Sequence, residues 1–198
     1  MKRMLAGIFT ASALTLLSLP QPASAQDFVV KPLAEKKIKQ LPPGPLYWRV
    51  ENLPTLEQAQ AAAGATSLAV AAAGKYWLFT LGPSGASTAG ASKVAEIGPV
   101  PPIAAPEYLL RINHASGAPG AKTPIHTHPG SETFYVLTGR LSQKTPQGVS
   151  HVDAGQSMNG RGADTPMEVS SSGTADLNAL VMFVVDATRP FSSHAAIR

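Results

Sequence analysis

In the stretch "IHTHPGSETF", His126 and His128 stand two residues apart and Glu132 follows four residues later. On a strand, the i, i+2 spacing turns both imidazoles to one face and Thr127 to the other. Pro129-Gly130-Ser131 reads as a turn, and Glu132 as the opening of a second strand paired antiparallel to the first. Its parity matches that of Phe134 and Val136, which belong in a core, so the carboxylate is expected to point inward at the imidazoles. A carboxylate facing an apolar interior is costly unless it is paired or bound to a metal. Two imidazoles and one carboxylate suit Fe(II), Mn(II), Zn(II) or Ni(II), and leave coordination positions open for water, substrate or dioxygen. Glu132 has a second use: away from the metal it would serve as a base.

The other chemistry-bearing residues have more ordinary readings. The chain has no cysteine, which excludes disulfides, thiolate metal ligands and cysteine nucleophiles. His114 shares the face of Tyr108, Leu110 and Ile112, the face expected to meet the core; it is read as a strand-end histidine, with support of the metal ligands as the alternative. His151 is expected to be exposed and is the reserve candidate for a further imidazole. His194 falls in a polar tail and is assigned no role. Thr133 and Tyr135 alternate with the inward residues and are expected to face outward or towards a neighbouring sheet. Arg111 and Arg140 would bind an anion only if they faced a cavity mouth. No phosphate-binding glycine loop, nucleotide fingerprint or G-x-S-x-G nucleophile motif is present.

Several elements must carry these residues. Residues 1–25 combine Lys2 and Arg3, an apolar run and Ala23-Ser24-Ala25 before Gln26, the pattern of a cleaved secretory leader. The mature chain is expected to begin at Gln26, to have no membrane span and to work in the periplasm or outside the cell. Without Lys2 and Arg3 it has 14 basic and 12 acidic residues, and from residue 41 onward ten of each. That balance offers no electrostatic footprint for nucleic acid. Residues 26–45 read as an extended arm ending in "LPPGP". In 46–106, "LYWRVENL" reads as a strand and "TSLAVAA" and "KYWLFTL" as a hairpin. Thr55 and Gln58 form a capping-box pair opening a short helix at about 55–63, and "GPSGASTAGASK" reads as a flexible loop. From 107 to 186, short strands punctuated by Gly and Pro indicate an all-β antiparallel jelly roll, with a hairpin expected about Thr138-Gly139-Arg140. Residues 187–198 form the tail.

The spacing is fuller than the ligand set alone. Gly120, five residues, His126, one, His128, three, Glu132, six, Gly139 matches every fixed position of the first motif of the cupin superfamily, and 107–186 resembles a cupin barrel. In that family a small jelly roll holds a divalent metal through two histidines, a glutamate and a third histidine from a second motif. The resemblance therefore implies His126, His128 and Glu132 as the first three ligands. The second motif, G-x5-P-x-G-x2-H-x3-N, departs from the pattern. Counted from Gly155, Arg161 replaces the proline, Ala163 the glycine, Pro166 the histidine and Ser170 the asparagine. Asp164 and Thr165 are close enough in sequence to offer an oxygen after a short slip, although a turn role suits Asp164 better.

Three functions remain open. The first is an exported metal-dependent enzyme, with Fe(II) or Mn(II) as the leading choice and dioxygenase or isomerase chemistry implied by the resemblance. The second is a non-catalytic cupin that binds a small molecule or metal. The third is a structural homodimer with a filled barrel, in which the 26–45 arm adds a strand to its partner's sheet.

Overall fold

A computed structural model describes residues 27–197; the expected leader at 1–25 lies outside them. The chain runs through β1 (Val29–Ile38), β2 (Tyr47–Leu53), α1 (Leu56–Ala62), β3 (Ser67–Ala72), β4 (Lys75–Gly82), β5 (Ser92–Ile97), β6 (Tyr108–Gly117) and β7 (His126–Thr127). It continues through β8 (Gly130–Thr138), β9 (Arg140–Thr145), β10 (Gly148–Asp153), β11 (Ser157–Asn159), β12 (Glu168–Ser171), β13 (Leu177–Asp186) and β14 (Ser193–His194).

Three antiparallel sheets stack on one another. The central sheet has the order β1-β6-β13-β8-β11. One face of it meets the sheet β10-β9-β12, and together they form the barrel. Its core contains Leu109, Phe134, Leu141, Val152, Val169 and Phe183. The other face meets β3-β4-β2-β5 over Trp48, Trp77, Phe79, Leu110, Ile112 and Met182. The N-terminal segment therefore packs against the barrel wall. A separate two-stranded ribbon pairs β7 with β14.

Several local expectations hold. Thr55 caps α1, its hydroxyl accepting from the Gln58 amide at 3.2 Å. The β3–β4 hairpin turns at Ala73-Gly74, both in the left-handed region. Tyr135 reaches the neighbouring sheet, with its ring 5.9 Å from that of Trp77.

Five expectations are corrected. The 26–45 arm is not a detached extension: β1 pairs with the chain's own β6 from Val29↔Ser116 to Ile38↔Tyr108. As an edge strand it carries Pro32, a bulge and several lysines, features that discourage further strand pairing. Ser92 and Lys93, read as the end of the flexible loop, open strand β5, and the loop before it is tied down. There the Thr88 amide and hydroxyl donate to buried Glu51 at 2.9 and 2.7 Å. The hairpin about Thr138-Gly139-Arg140 does not form. At Gly139, with φ of 74°, the chain leaves the central sheet, and β9 pairs with β10 and β12. Nor does β7 pair with β8: β7 pairs with β14, and β8 with β13 and β11.

The fifth correction concerns β6. Leu110 and Ile112 lie on the face packed against the second sheet, so His114, of the same parity, points away from the barrel. Leu109, Arg111, Asn113 and Ala115 are on the barrel side. Both faces of β6 are covered, so apolar character alone could not tell them apart.

Candidate metal centre and cavity

Local geometry brings the three expected ligands together by a different route from the one the sequence suggested. His126 and His128 lie on or next to β7 at the barrel mouth. Pro129-Gly130 turns the chain directly into the central sheet, where Gly130 is paired with Val185 and Glu132 with Phe183. One ligand atom from each of His126, His128 and Glu132 lies within 4.8 Å of the others. Gly160 lets the chain after β11 pass close against Glu132: a Cβ there would sit 1.5 Å from the Glu132 carbonyl oxygen.

Each imidazole is oriented by a backbone carbonyl. His126 Nδ1 donates to Pro124 at 2.8 Å, and His128 Nδ1 donates to Phe191 at 2.6 Å. The protonated nitrogen is thereby Nδ1, and the Nε2 lone pairs are free to ligate, the usual way a protein orients a histidine ligand. His128 Nε2 stands 3.6 Å from Glu132 Oε2. The other oxygen, Oε1, accepts from the Gln143 amide at 2.8 Å, and the same nitrogen contacts Met167 Sδ at 3.3 Å.

The electrostatics follow from burial. His128 and Glu132 are 4% and 3% exposed. Burial pushes the Glu132 carboxyl up to about 8, against a lowering by the Gln143 amide. Burial likewise pushes His128 down to about 4, with the Phe191 carbonyl acting in the opposite direction. Without a cation the site is therefore a neutral acid beside a neutral imidazole. A divalent ion offsets the desolvation of the carboxylate and needs the imidazole neutral, so the donor set suits such an ion.

The cluster faces a cavity of about 320 Å³, near the small end of ligand sites. Its apolar walls include Phe28, Val30, Phe134, Val181, Phe183 and Phe191. The barrel is thus not filled by its own side chains, as a purely structural barrel would require.

The remaining candidates fall as follows. His194, assigned no role from the sequence, is exposed but lies in β14 directly opposite His126 and lines the cavity. His151 is exposed on β10, its Nδ1 2.6 Å from the Ser142 hydroxyl, and is not part of the ligand cluster. Asp164 adopts a left-handed turn conformation and pairs with Arg189 at 2.6 Å. Pro166 offers no ligand at the position of the third histidine; next to it, buried Met167 bridges to His126. Arg111 is held by Glu35 and stacks on the Phe191 ring at 4.1 Å, while exposed Arg140 pairs with Asp153, so neither arginine is free for an anion.

Sequence reasoning missed Gln143, Phe191 and Asn113. Gln143 lies in a polar-looking strand, "RLSQKT", with no motif around it. Phe191, the one aromatic residue in 187–198, was the available signal that the tail packs down.

No protein-family model matches the chain, and no curated protein matches it. Solved structures do resemble it. A cupin-like protein from Thermotoga maritima is 13% identical over 44% of this chain and 65% of its own, with a TM-score of 0.39. A cupin-superfamily sugar phosphate isomerase from Silicibacter pomeroyi is 20% identical over 44% of this chain and 57% of its own, at 0.37. A chain from the crystal structures of the DMSP lyases RdDddP and RnDddQII is 20% identical over 44% of each chain, at 0.37. The matches span less than two thirds of each of these proteins. At such identities and scores they carry no argument for activity, and the fold stands on the topology and motif positions described above. By its jelly-roll barrel, its intact first motif and the ligand cluster those positions create, the chain has the cupin fold.

Proposed function

We propose that this is an exported, metal-dependent cupin enzyme that acts on a small molecule held in the barrel. The observation that carries the reading is the convergence of His126, His128 and Glu132, with both Nδ1 atoms tied off, at the wall of an open apolar cavity. His126 and His128 would each offer Nε2, and Glu132 would offer Oε2. Bound there, Fe(II) or Mn(II) would polarise an oxygen-bearing substrate, and Fe(II) would also react with dioxygen. Gln143 fixes the carboxylate by its second oxygen. The aromatic walls exclude water, which strengthens every polar contact inside. Glu132 is the one buried carboxylate in the cavity wall, so away from the metal it would be the group to hold or deliver a proton. Export to the periplasm or beyond is supported by the leader pattern at 1–25. Among the described residues, no helix is long and apolar enough to cross a membrane.

A second reading, a non-catalytic binding module, is favoured by one feature: within the cavity wall no second buried carboxylate or lysine stands ready to transfer protons. Elemental mass spectrometry on the exported mature chain, residues 26–198, separates the outcomes when it is combined with dioxygen consumption in the presence of candidate substrates. Near-stoichiometric metal is expected in the wild type and none in Glu132→Ala or His128→Ala. Metal without turnover would leave the binding module, and a wild type that takes up none of Fe(II), Mn(II), Zn(II) or Ni(II) would remove the metal centre altogether.

A further inference from the structure

Among the described residues, four buried side-chain polar atoms have no hydrogen-bond partner: Trp48 Nε1, Asn113 Oδ1, Ser131 Oγ and Ser171 Oγ. Asn113 alone of these residues lines the cavity. It is 2% exposed and stands on the barrel side of β6, in a cross-strand row with Val181 and Phe134. Burying an amide oxygen without a donor costs about 1–3 kcal/mol, yet an aliphatic residue of similar volume would fit the apolar row around it. A cavity that keeps an unmatched acceptor among phenylalanines and valines is one whose occupant brings the donor.

We propose that Asn113 is a specificity-determining residue: its amide oxygen accepts a hydrogen bond from a hydroxyl or N–H group on a small, ring-sized, otherwise apolar ligand. The inference rests on the reading of this cavity as the ligand site, but not on the metal. Aromatic residues come to the cavity from four separate segments, as Phe28, Phe134, Phe183 and Phe191. Such walls favour a flat ring, which packs edge or face against them. Asn113 and Glu132 are two strands apart across the sheet and one row apart along it, roughly 12 Å between Cα atoms at standard strand spacings. A ligand bonded to Asn113 at one end therefore presents its other end towards the ligand cluster. Discrimination by such a group is sharp, because an analogue without the donor leaves the buried oxygen unpaired.

The test uses two neutral probes of similar size, phenol and toluene, titrated calorimetrically into the mature protein. Neither probe needs a metal for anchorage, and metal content measured on the same samples reports separately on the metal centre. The preference for phenol over toluene in the wild type is expected to fall about tenfold in Asn113→Leu, the worth of one hydrogen bond to a buried acceptor. Asn113→Asp, which keeps an oxygen in place, is expected to retain most of the preference. An unchanged preference in Asn113→Leu would overturn the proposal. So would failure of the wild type to bind either probe at millimolar concentration. Equal loss of both probes in both variants would assign Asn113 to the fold and overturn it as well.

Discussion

The two faces of the central sheet are built from the same four long strands and do opposite things. Towards β3-β4-β2-β5, Leu110, Ile112, Leu180 and Met182 meet Trp48, Trp77 and Phe79, and the layer closes. Towards β10-β9-β12, the alternate residues of the same strands leave a cavity and place the Glu132 carboxylate and the Asn113 amide on its wall, where the β7 segment adds two imidazoles. One face is optimised for burial. The other keeps buried polar groups, and one of them, Asn113 Oδ1, has no partner among the described residues. Stability and function are thus separated by side-chain parity along shared strands, and substitutions one residue apart are expected to read out differently.

The largest effect is expected on the closed face. Trp77→Ala should cost about 3–5 kcal/mol, measured as a shift in the urea midpoint. Metal per folded molecule should stay at the wild-type level, and a loss of metal in the folded fraction would break the separation of the two faces.

A pH titration of the metal-free protein, kept so by a chelator, sharpens the contrast from the cavity side. From pH 4.5 to 6.5, Glu132 holds a proton that it releases on unfolding, while His128 takes one up on unfolding, and the two effects oppose each other. Above pH 6.5 only Glu132, whose carboxyl is raised to about 8, still contributes. Stability should therefore fall as pH rises from 6.5 towards 8, by up to about 1.4 kcal/mol per pH unit. Glu132→Gln should flatten that fall, and a slope surviving in this variant would assign it to another group.

Two smaller effects concern the supports of the ligands. Truncation after Arg189 removes the Phe191 carbonyl that orients His128, together with part of the cavity wall. Metal affinity should weaken about 10–100-fold, while the urea midpoint moves less than for Trp77→Ala. Gln143→Leu removes the amide that pins Glu132 and should fall at the low end of that range, about tenfold, in a competition assay for metal. An unchanged affinity in both variants would mean that the three ligands hold the ion without their outer partners.

How much of this could be read from the chain depended on how local the information was. His126, His128 and Glu132 lie within seven residues, and their spacing exposed the site before any fold was known. Thr55 and Gln58 did the same for the helix start. The strand of the arm was legible as extended chain, but its partner was not, because β1 pairs with β6 at separations from Ile38↔Tyr108 to Val29↔Ser116, far outside any local stretch. The alternation of β6 shows that His114 shares a face with Leu110 and Ile112, but not that this face lies away from the barrel, because the sheet has a core on each side.

By itself the sequence determined the residue types of the candidate cluster, the all-β character and the absence of the third histidine, since each depends on residues close together in the chain. Only the tertiary structure decided that the tail folds back to orient His128, that Gln143 rather than an imidazole completes the surroundings of Glu132, and that Asn113 looks into the cavity. Those contacts join strands remote in sequence, and strand pairing is set by the summed burial of whole faces, a quantity no short stretch of residues contains.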